Sequence, residues 1–530
     1  MLTVHRLRRL AALFSLACLG LLAQAPAHAR TQEANLVPVI PLGASTVADK
    51  PTGVRGGLLL ANDGNIYFAS STGGKGYGAI GKLNAAGELS VLYAPLTGDE
   101  GISSYADLIQ GTDGNLYGTT YLGGTKGAGT AFQVTLAGTY KVLYSFGQTK
   151  LDAILPYAGL VQAADGNLYG TTLRGGDNDK GTIFRLTTTG TFTIIHHFDG
   201  ANGENPEGSL IVGANGELYG TTLQGGSGNR GTIFRISTAG AYTLVYSFPS
   251  LGEFNSAGLA INATGANPRA ALMLAADGNY YGTAYQGGTD GYGTVFKMTP
   301  AGTVTSFFAF KGPSFNGAFP LAAVVQDAAG NFLGTTQSGG YLNQGSVWRL
   351  DATGTQFSLL HGFTSSLVDG SQPYAKLLLT TNSIYGVSFN DGLAGSGAIF
   401  KIDLGSNGVL PAELSVSPTA VTTGSSATLT WSVPGATACT PLGTWSASTV
   451  GTSGTLAVTP DSAGIYTYGL SCTDGAGGVH NAYTAVTVKA PPLESVDGGG
   501  GTGGISLSLL LLFAVLLFRK NLKEIFAACP

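Results

Sequence analysis

Charge is scarce in this chain: 11% of its 530 residues are Asp, Glu, Lys or Arg, and the formal net charge is -4. Outside the two ends there is no Lys/Arg cluster, so nucleic acid is not an expected partner. Histidine is rare, with six residues, and cysteine rarer, with four. His196 and His197 are adjacent, so on a strand they point to opposite faces and cannot easily share a metal. His361 and His480 stand apart from them. The GxSxG elbow, HExxH, paired CxxC, the phosphate-binding loop and the sialidase-type Asp box are all missing. Asp177-Asn178-Asp179 offers oxygens, but no Gly and Glu follow at EF-hand spacing. Neither a metal nor a cofactor is therefore expected. Amphipathic helical periods are absent from the N-terminal apolar run to residue 490, which excludes the helical classes.

What the chain has instead is glycine, 83 residues, with abundant Thr and Tyr. That composition suits many short strands joined by tight turns. The ends carry separate signals. Arg6, Arg8 and Arg9 precede an apolar run, and Ala27-His28-Ala29 fits a small-x-small cleavage site. Residues 1–29 are expected to be a secretory signal peptide cut after Ala29 by signal peptidase. At the other end, a Pro/Gly-rich spacer (490–504) meets an uncharged apolar run, 505–518, followed by Arg519, Lys520 and Lys523. The expectation is a single transmembrane helix, with residues 519–530 as a basic cytoplasmic tail. Gly503, Gly504, the short apolar run and the basic tail resemble the GlyGly-CTERM sorting signal of exported bacterial proteins. That resemblance implies cleavage near the glycines by a rhomboid-type protease, leaving the protein anchored or released.

The central feature is a repeat. An aromatic-plus-small pair recurs at Tyr67, Tyr117, Tyr169, Tyr219, Tyr281, Leu333 and Tyr385, making seven copies of about 50 residues. In the third copy, Ala158 to Ala163, Asn167 to Leu173, Gly181 to Thr187 and Thr191 to Phe198 read as four strands. Asp165-Gly166 turns the first into the second. Four strands per copy predict a seven-bladed β-propeller over 35–405, with an open superhelix of the same repeats as the alternative. The seventh copy lacks a fourth strand, and residues 35–42 are expected to supply it, leaving no open end. The pattern DGNLYGTT..GG....GT.F.L...G resembles the GloVer (Gloeo/Verruco) tandem repeat of exported bacterial proteins with interchangeable anchors. That family has no activity to carry over. The sixth copy departs from the pattern at Ala329 and Leu333, and the seventh at Asn382-Ser383.

After a linker (406–411), residues 412–489 read as the strands of a β-sandwich. Asp461 and Tyr466 sit like a tyrosine corner, and Trp431 and Trp445 read as core. The segment resembles the Ig-like modules of bacterial surface proteins, a likeness that implies a Cys439–Cys472 disulfide, as a lone pair in an exported module also does. The fold class is thus all-β: propeller, then sandwich, then one membrane helix.

Variable loops on a rigid frame are where binding is expected. The loops between the second and third strands carry Tyr77, Lys126, Asp177, Asp179, Arg230, Asp290, Tyr292, Tyr341 and Asn343 as candidate ligand contacts. No catalytic residue is expected. The leading expectation is a non-enzymatic binding or adhesion protein for glycan, polymer or protein. Its rivals are a glycan hydrolase or lyase working at the loop face and a purely structural envelope component. The side chains lining the central channel decide among them.

Overall fold

The computed structural model describes residues 36–42, 48–255, 258–313, 316–340, 342–363, 370–381, 383–390, 396–403, 413–418, 420–433, 435–443, 450–474 and 479–489. Residues 1–29, the linker, Tyr341, Trp445 and everything from 490 onward, including Gly503, Gly504 and the apolar run, lie outside them. Among the described residues no helix is long and apolar enough to cross a membrane.

Each copy forms one antiparallel sheet. In the third, Val161–Gln162, Leu168–Thr172, Thr182–Leu186 and Phe192–His197 pair in chain order. Gly170 lies opposite Phe184 because a Cβ there would sit 2.5 Å from the Phe184 ring. The aromatic ring takes the space that the glycine leaves empty. Gly220 and Phe234 repeat the arrangement. A bulge follows at the same place in successive copies, between Ala131/Phe132, Ile183/Phe184, Ile233/Phe234 and Val295/Phe296.

A two-residue inner strand cannot stabilise a sheet alone, so the copies lean on each other. Tyr169, Ile183 and Phe198 of the third copy share a core with Leu210, Leu218 and Phe234 of the fourth. The fourth packs on the fifth, the fifth on the sixth and the sixth on the seventh in the same way. Val54, Leu58 and Phe68 of the first copy share a core with Ala375, Val387 and Ile399 of the last. The strand Leu36–Pro41 pairs antiparallel with Ala398–Asp403 and supplies the outer strand that the last copy lacks.

Individual letters of the repeat do this joining. The Asp165 carboxylate accepts hydrogen bonds from the Asn167 amide and from the Tyr169 hydroxyl at 2.6 Å, closing the hairpin. In three copies the Thr that follows Tyr-Gly reaches across to the next copy: Thr119 donates to the Ala158 carbonyl, Thr221 to Ala270 and Thr283 to Ala322, each at 3.0 Å. The second Thr stays within its own sheet, as in Thr172 with Thr182 at 2.8 Å. Gln110 and Gln162 accept the amides of Asn62 and Thr112 in the preceding copy. In the sixth copy Asp327, two positions earlier than the usual Asp, accepts from the amides of Ala329 and Asn331 and keeps the turn.

In the C-terminal part, Glu413–Ser417, Ala427–Ser432 and Ser453–Val458 form one sheet. Ala420–Thr422, Ala436–Gly443, Gly464–Asp474 and Val479–Lys489 pair together, the first joining in parallel. Both groups send side chains into one core around Leu414, Leu429, Trp431, Leu470 and Val486. Cys439 and Cys472 are bonded, and they lie opposite each other on neighbouring strands of the same sheet. The disulfide therefore staples a strand pair and does not bridge two sheets. Tyr466 reaches Asp461 at 3.4 Å and Ser462 at 2.6 Å. The last strand also touches the outer edge of the sixth copy, with Leu359 opposite Tyr483.

Candidate functional site

The site starts from the connection between copies. Each connection folds back along the second strand of the copy it enters: Ala153–Ile154 pairs with Arg174–Gly175, and Pro51–Thr52 with Thr72–Gly73. It then passes through one residue in the left-handed region, at Gly53, Ser103, Leu155, Asn205, Asn267, Phe319 and Gln372 in turn. Six of these seven carry a side chain, for which that conformation is costly. Hydrogen bonds on both sides hold it. The Leu155 amide donates to the Ala128 carbonyl at 2.9 Å, and its own carbonyl accepts from the Leu173 amide at 3.0 Å. In the later copies a proline follows. Its ring lies against the last Gly of the preceding copy's GG…G, as Pro206 does against Gly181, where a Cβ would come within 2.8 Å and the φ is +100°. The glycine motif is thus the seat for a neighbour's proline.

Two residues after each strained position, one side chain points inward. Arg55, Tyr105, Tyr157, Glu207, Arg269, Leu321 and Tyr374 line a single cavity of about 280 Å³. The position after each is Gly or Ala. A Cβ on Gly208 would stand 2.6 Å from the Ala270 backbone, so bulk is excluded where the copies meet. The next position adds Asp107, Ser209 and Lys376 to the wall.

The polar groups are tied pairwise across copies. Glu207 faces Arg269 at 3.5 Å, and Asp107 faces Lys376 at 3.6 Å. Asp107 also accepts the Gly57 amide, and the Ser209 hydroxyl accepts the Gly159 amide at 2.9 Å. Burial pushes the Glu207 carboxyl above its usual range, with the Arg269 charge opposing it. Burial first, and then the Glu207 charge, raise the Tyr157 phenol. Residues at the end of the second strand form the rim. The Gln337 amide donates to the Tyr374 hydroxyl at 2.9 Å, the Arg269 guanidinium lies 5.2 Å from the Tyr285 ring, and Tyr121 packs against Tyr105 and Tyr157. These contacts stand beside the cavity wall, where the second strand ends and its loop to the third begins.

Of the nine loop residues expected to contact a ligand, Tyr341 lies outside the described residues and none of the other eight lines this cavity. Asp179 and Asn343 adopt left-handed backbone, and their side chains accept the amides of Gly175 at 2.9 Å and Gly339 at 3.0 Å, which shapes the loop. Asp177 is exposed and lies 3.7 Å from His197. Lys126 is exposed. Tyr77 and Arg230 are half-buried and offer their carbonyls to the strained Ser103 and Asn267. The Asp290 carboxylate accepts from Thr289, and Tyr292 packs toward Phe319. His196 stacks on Tyr242 with ring centres 3.9 Å apart, and His361 is buried beside Phe363. Among the described residues no cluster of three His, Cys, Asp or Glu could hold a metal. The cavity residues carried a readable signal that motif searching passes over: a position that takes Arg, Tyr, Glu and Leu among the copies inside a frame that does not change.

The family model of the Gloeobacter/Verrucomicrobia repeat matches residues 54–266 and 251–430, more than half of the chain. The chain belongs to this repeat family. No curated protein is detectably similar to it in sequence. Among solved structures, an extracellular domain described as part of a hybrid two-component system of B. thetaiotaomicron is 13% identical at a TM-score of 0.44, over 85% of this chain and 57% of that one. The extracellular domain of a one-component system of the same organism is 12% identical at 0.44, over 87% and 58%. Puromycin hydrolase is 10% identical at 0.45, over 86% and 62%. The chain spans about six-tenths of the length of these structures. In this Gloeobacter/Verrucomicrobia repeat protein the family pattern accounts for the frame and leaves the cavity-lining positions open.

Proposed function

We propose that this is an exported binding protein whose repeats close into a seven-bladed propeller and whose ligand enters the central cavity from the loop side. One observation carries the reading. A single cavity is lined by the corresponding residue of every copy, and that residue is Arg, Tyr, Tyr, Glu, Arg, Leu and Tyr in turn. Scaffold positions repeat, so a position held in place by strained backbone and yet free to differ is a recognition position. The core shared by the first and last copies supports closure. The N-terminal Arg-rich apolar segment supports export, and the Gly-rich tail with its apolar run supports anchoring or release at the cell envelope. The C-terminal sheets serve as an Ig-like spacer.

Binding fits the cavity better than hydrolysis or lysis. Each of its two carboxylates already faces a cation, which leaves no free acid–base pair. The test is a glycan and peptide array probed with the full chain, alongside Tyr157→Ala and a loop variant, Lys126→Ala. The reading expects binding that Tyr157→Ala abolishes and Lys126→Ala leaves unchanged. Binding lost only in the loop variant, or turnover of a bound glycan with release of new chain ends, would overturn it.

A further inference from the structure

Among the described residues the cavity wall holds three cations and two carboxylates. Arg269 and Lys376 face Glu207 and Asp107, respectively. Arg55 is left over. Among the described residues no carboxylate lies within ion-pair distance of it, and its Nε is buried without a hydrogen-bond partner. Its guanidinium is held by two aromatic rings instead, 4.8 Å from the Tyr105 centre and 4.3 Å from the Phe389 centre. Cation–π contacts of this kind fix the plane of the group, and the Tyr157 hydroxyl shares a side-chain hydrogen bond with it, so that no carboxylate takes up its fork. A half-buried guanidinium with no facing carboxylate adds little as a structural element, because it gives up part of its hydration without gaining a counter-ion. It is a good receptor, because its planar fork matches a carboxylate with two parallel hydrogen bonds.

The surroundings narrow the ligand further. Tyr105, Tyr157 and Tyr374 supply aromatic faces and hydroxyls beside Arg55, a set suited to the C–H faces and hydroxyl groups of a sugar ring. The Glu207–Arg269 and Asp107–Lys376 pairs offer an acceptor and a donor side by side, which is what ring hydroxyls require. At about 280 Å³ the cavity lies just below the ~300–1,000 Å³ typical of ligand sites, room for the end of a chain and not for its length.

We propose that the cavity binds the terminal acidic sugar of a glycan, with the Arg55 guanidinium holding the sugar carboxylate. This rests on the reading of the cavity as a binding site.

The test is calorimetry on the full chain with a galacturonate trimer and a glucuronate-terminated disaccharide, each compared with its methyl ester. A peptide with a free C-terminal carboxylate and inorganic sulfate serve as further probes. Charge-assisted hydrogen bonds contribute roughly 1.5–3 kcal/mol, so esterification is expected to weaken binding by about tenfold or more. Arg55→Met should remove the preference for acid over ester, and Arg55→Lys should restore only part of it, because an ammonium lacks the fork. Thermal unfolding of both variants reports whether the fold is intact, and Arg55→Lys keeps the test open if Arg55→Met unfolds. Equal binding of acid and ester overturns the carboxylate anchor. If Tyr157→Ala then still abolishes both, the cavity reading survives without it. Stronger binding of the peptide or of sulfate than of either uronide overturns the sugar assignment. Binding that no cavity variant changes overturns both.

Discussion

Two stretches of the repeat obey opposite rules. At the hairpin, Asp and Tyr recur with the same hydrogen bond, at 2.7 Å in Asp63–Tyr67, 2.6 Å in Asp113–Tyr117, 2.6 Å in Asp165–Tyr169 and 2.9 Å in Asp277–Tyr281. At the cavity, the side chain ranges over Arg, Tyr, Glu and Leu among the copies while the backbone that presents it stays fixed. The hairpin shows what the fold must have. The cavity shows what the fold leaves free, and a repeat protein can specialise only where its scaffold makes no demand.

Substitutions should separate the two. Removing frame should cost stability whether or not a ligand is present, and the largest loss is expected from Phe184→Ala. Its ring is fully buried against Gly170, so the change should destabilise by about 3–5 kcal/mol, read as the midpoint of urea unfolding. Next comes Asp165→Ala, which leaves the Tyr169 hydroxyl without its acceptor and should cost roughly 1–2 kcal/mol by the same measurement. Thr221→Val cuts the tie to Ala270 and should cost about 1 kcal/mol. Tyr105→Phe, on the cavity wall, should leave unfolding unchanged to within about 0.5 kcal/mol, as substitutions away from buried networks do. Cavity changes as costly as Phe184→Ala would erase the distinction.

Two pH effects sharpen the comparison at smaller amplitude. Burial alone would raise the Asp277 carboxyl, but hydrogen bonds from the Asn279 side chain and backbone, Lys297 and Tyr281 outweigh it and hold the group down to about 2. A folded value below the ordinary 3.8 means that the hairpin's contribution is complete above about pH 4 and is lost as pH falls toward 2. Asp277→Asn should flatten the acid limb of a stability–pH curve. His196 acts over a higher window on the same acid side. Burial against Tyr242, and then the charge of His197, lower it from 6.5 to about 4, with Asp199 opposing. The ring is neutral in the fold, so stability is full above pH 6.5 and declines as the unfolded chain takes up the proton between 6.5 and 4. His196→Gln should remove that shallow slope.

The frame was legible in the sequence because its letters recur for fixed reasons. Asp-Gly turns, a Gly opposite a Phe and alternating strands each have one physical solution, and seven copies average out local exceptions. The missing fourth strand and its replacement near residue 36 followed from counting. The site was less legible. Asp179 and Asn343 are polar, variable and in loops, which is the profile of a ligand contact, yet both hold their own loop by accepting a glycine amide. Arg55, Glu207 and Arg269 stand alone in the sequence with no motif around them, and only the tertiary arrangement brings them to one cavity. The strained residue two positions earlier has no sequence signature, since Ser, Leu, Asn, Phe and Gln all occupy it.

The strand Leu36–Pro41 has a consequence in time. A ribosome makes it before the first copy and its partner Ala398–Asp403 at the end of the last, with nearly the whole repeat region between them. Neighbouring copies can dock as they are made, each close to the last in sequence, but this pair requires the longest loop closure in the repeat region. Until it forms, the growing array carries a bare edge at the front and an unfinished sheet at the back. The joint that completes the molecule is therefore also the event that dates its maturity, and any chain cut short before Ala398 would keep its first strand waiting.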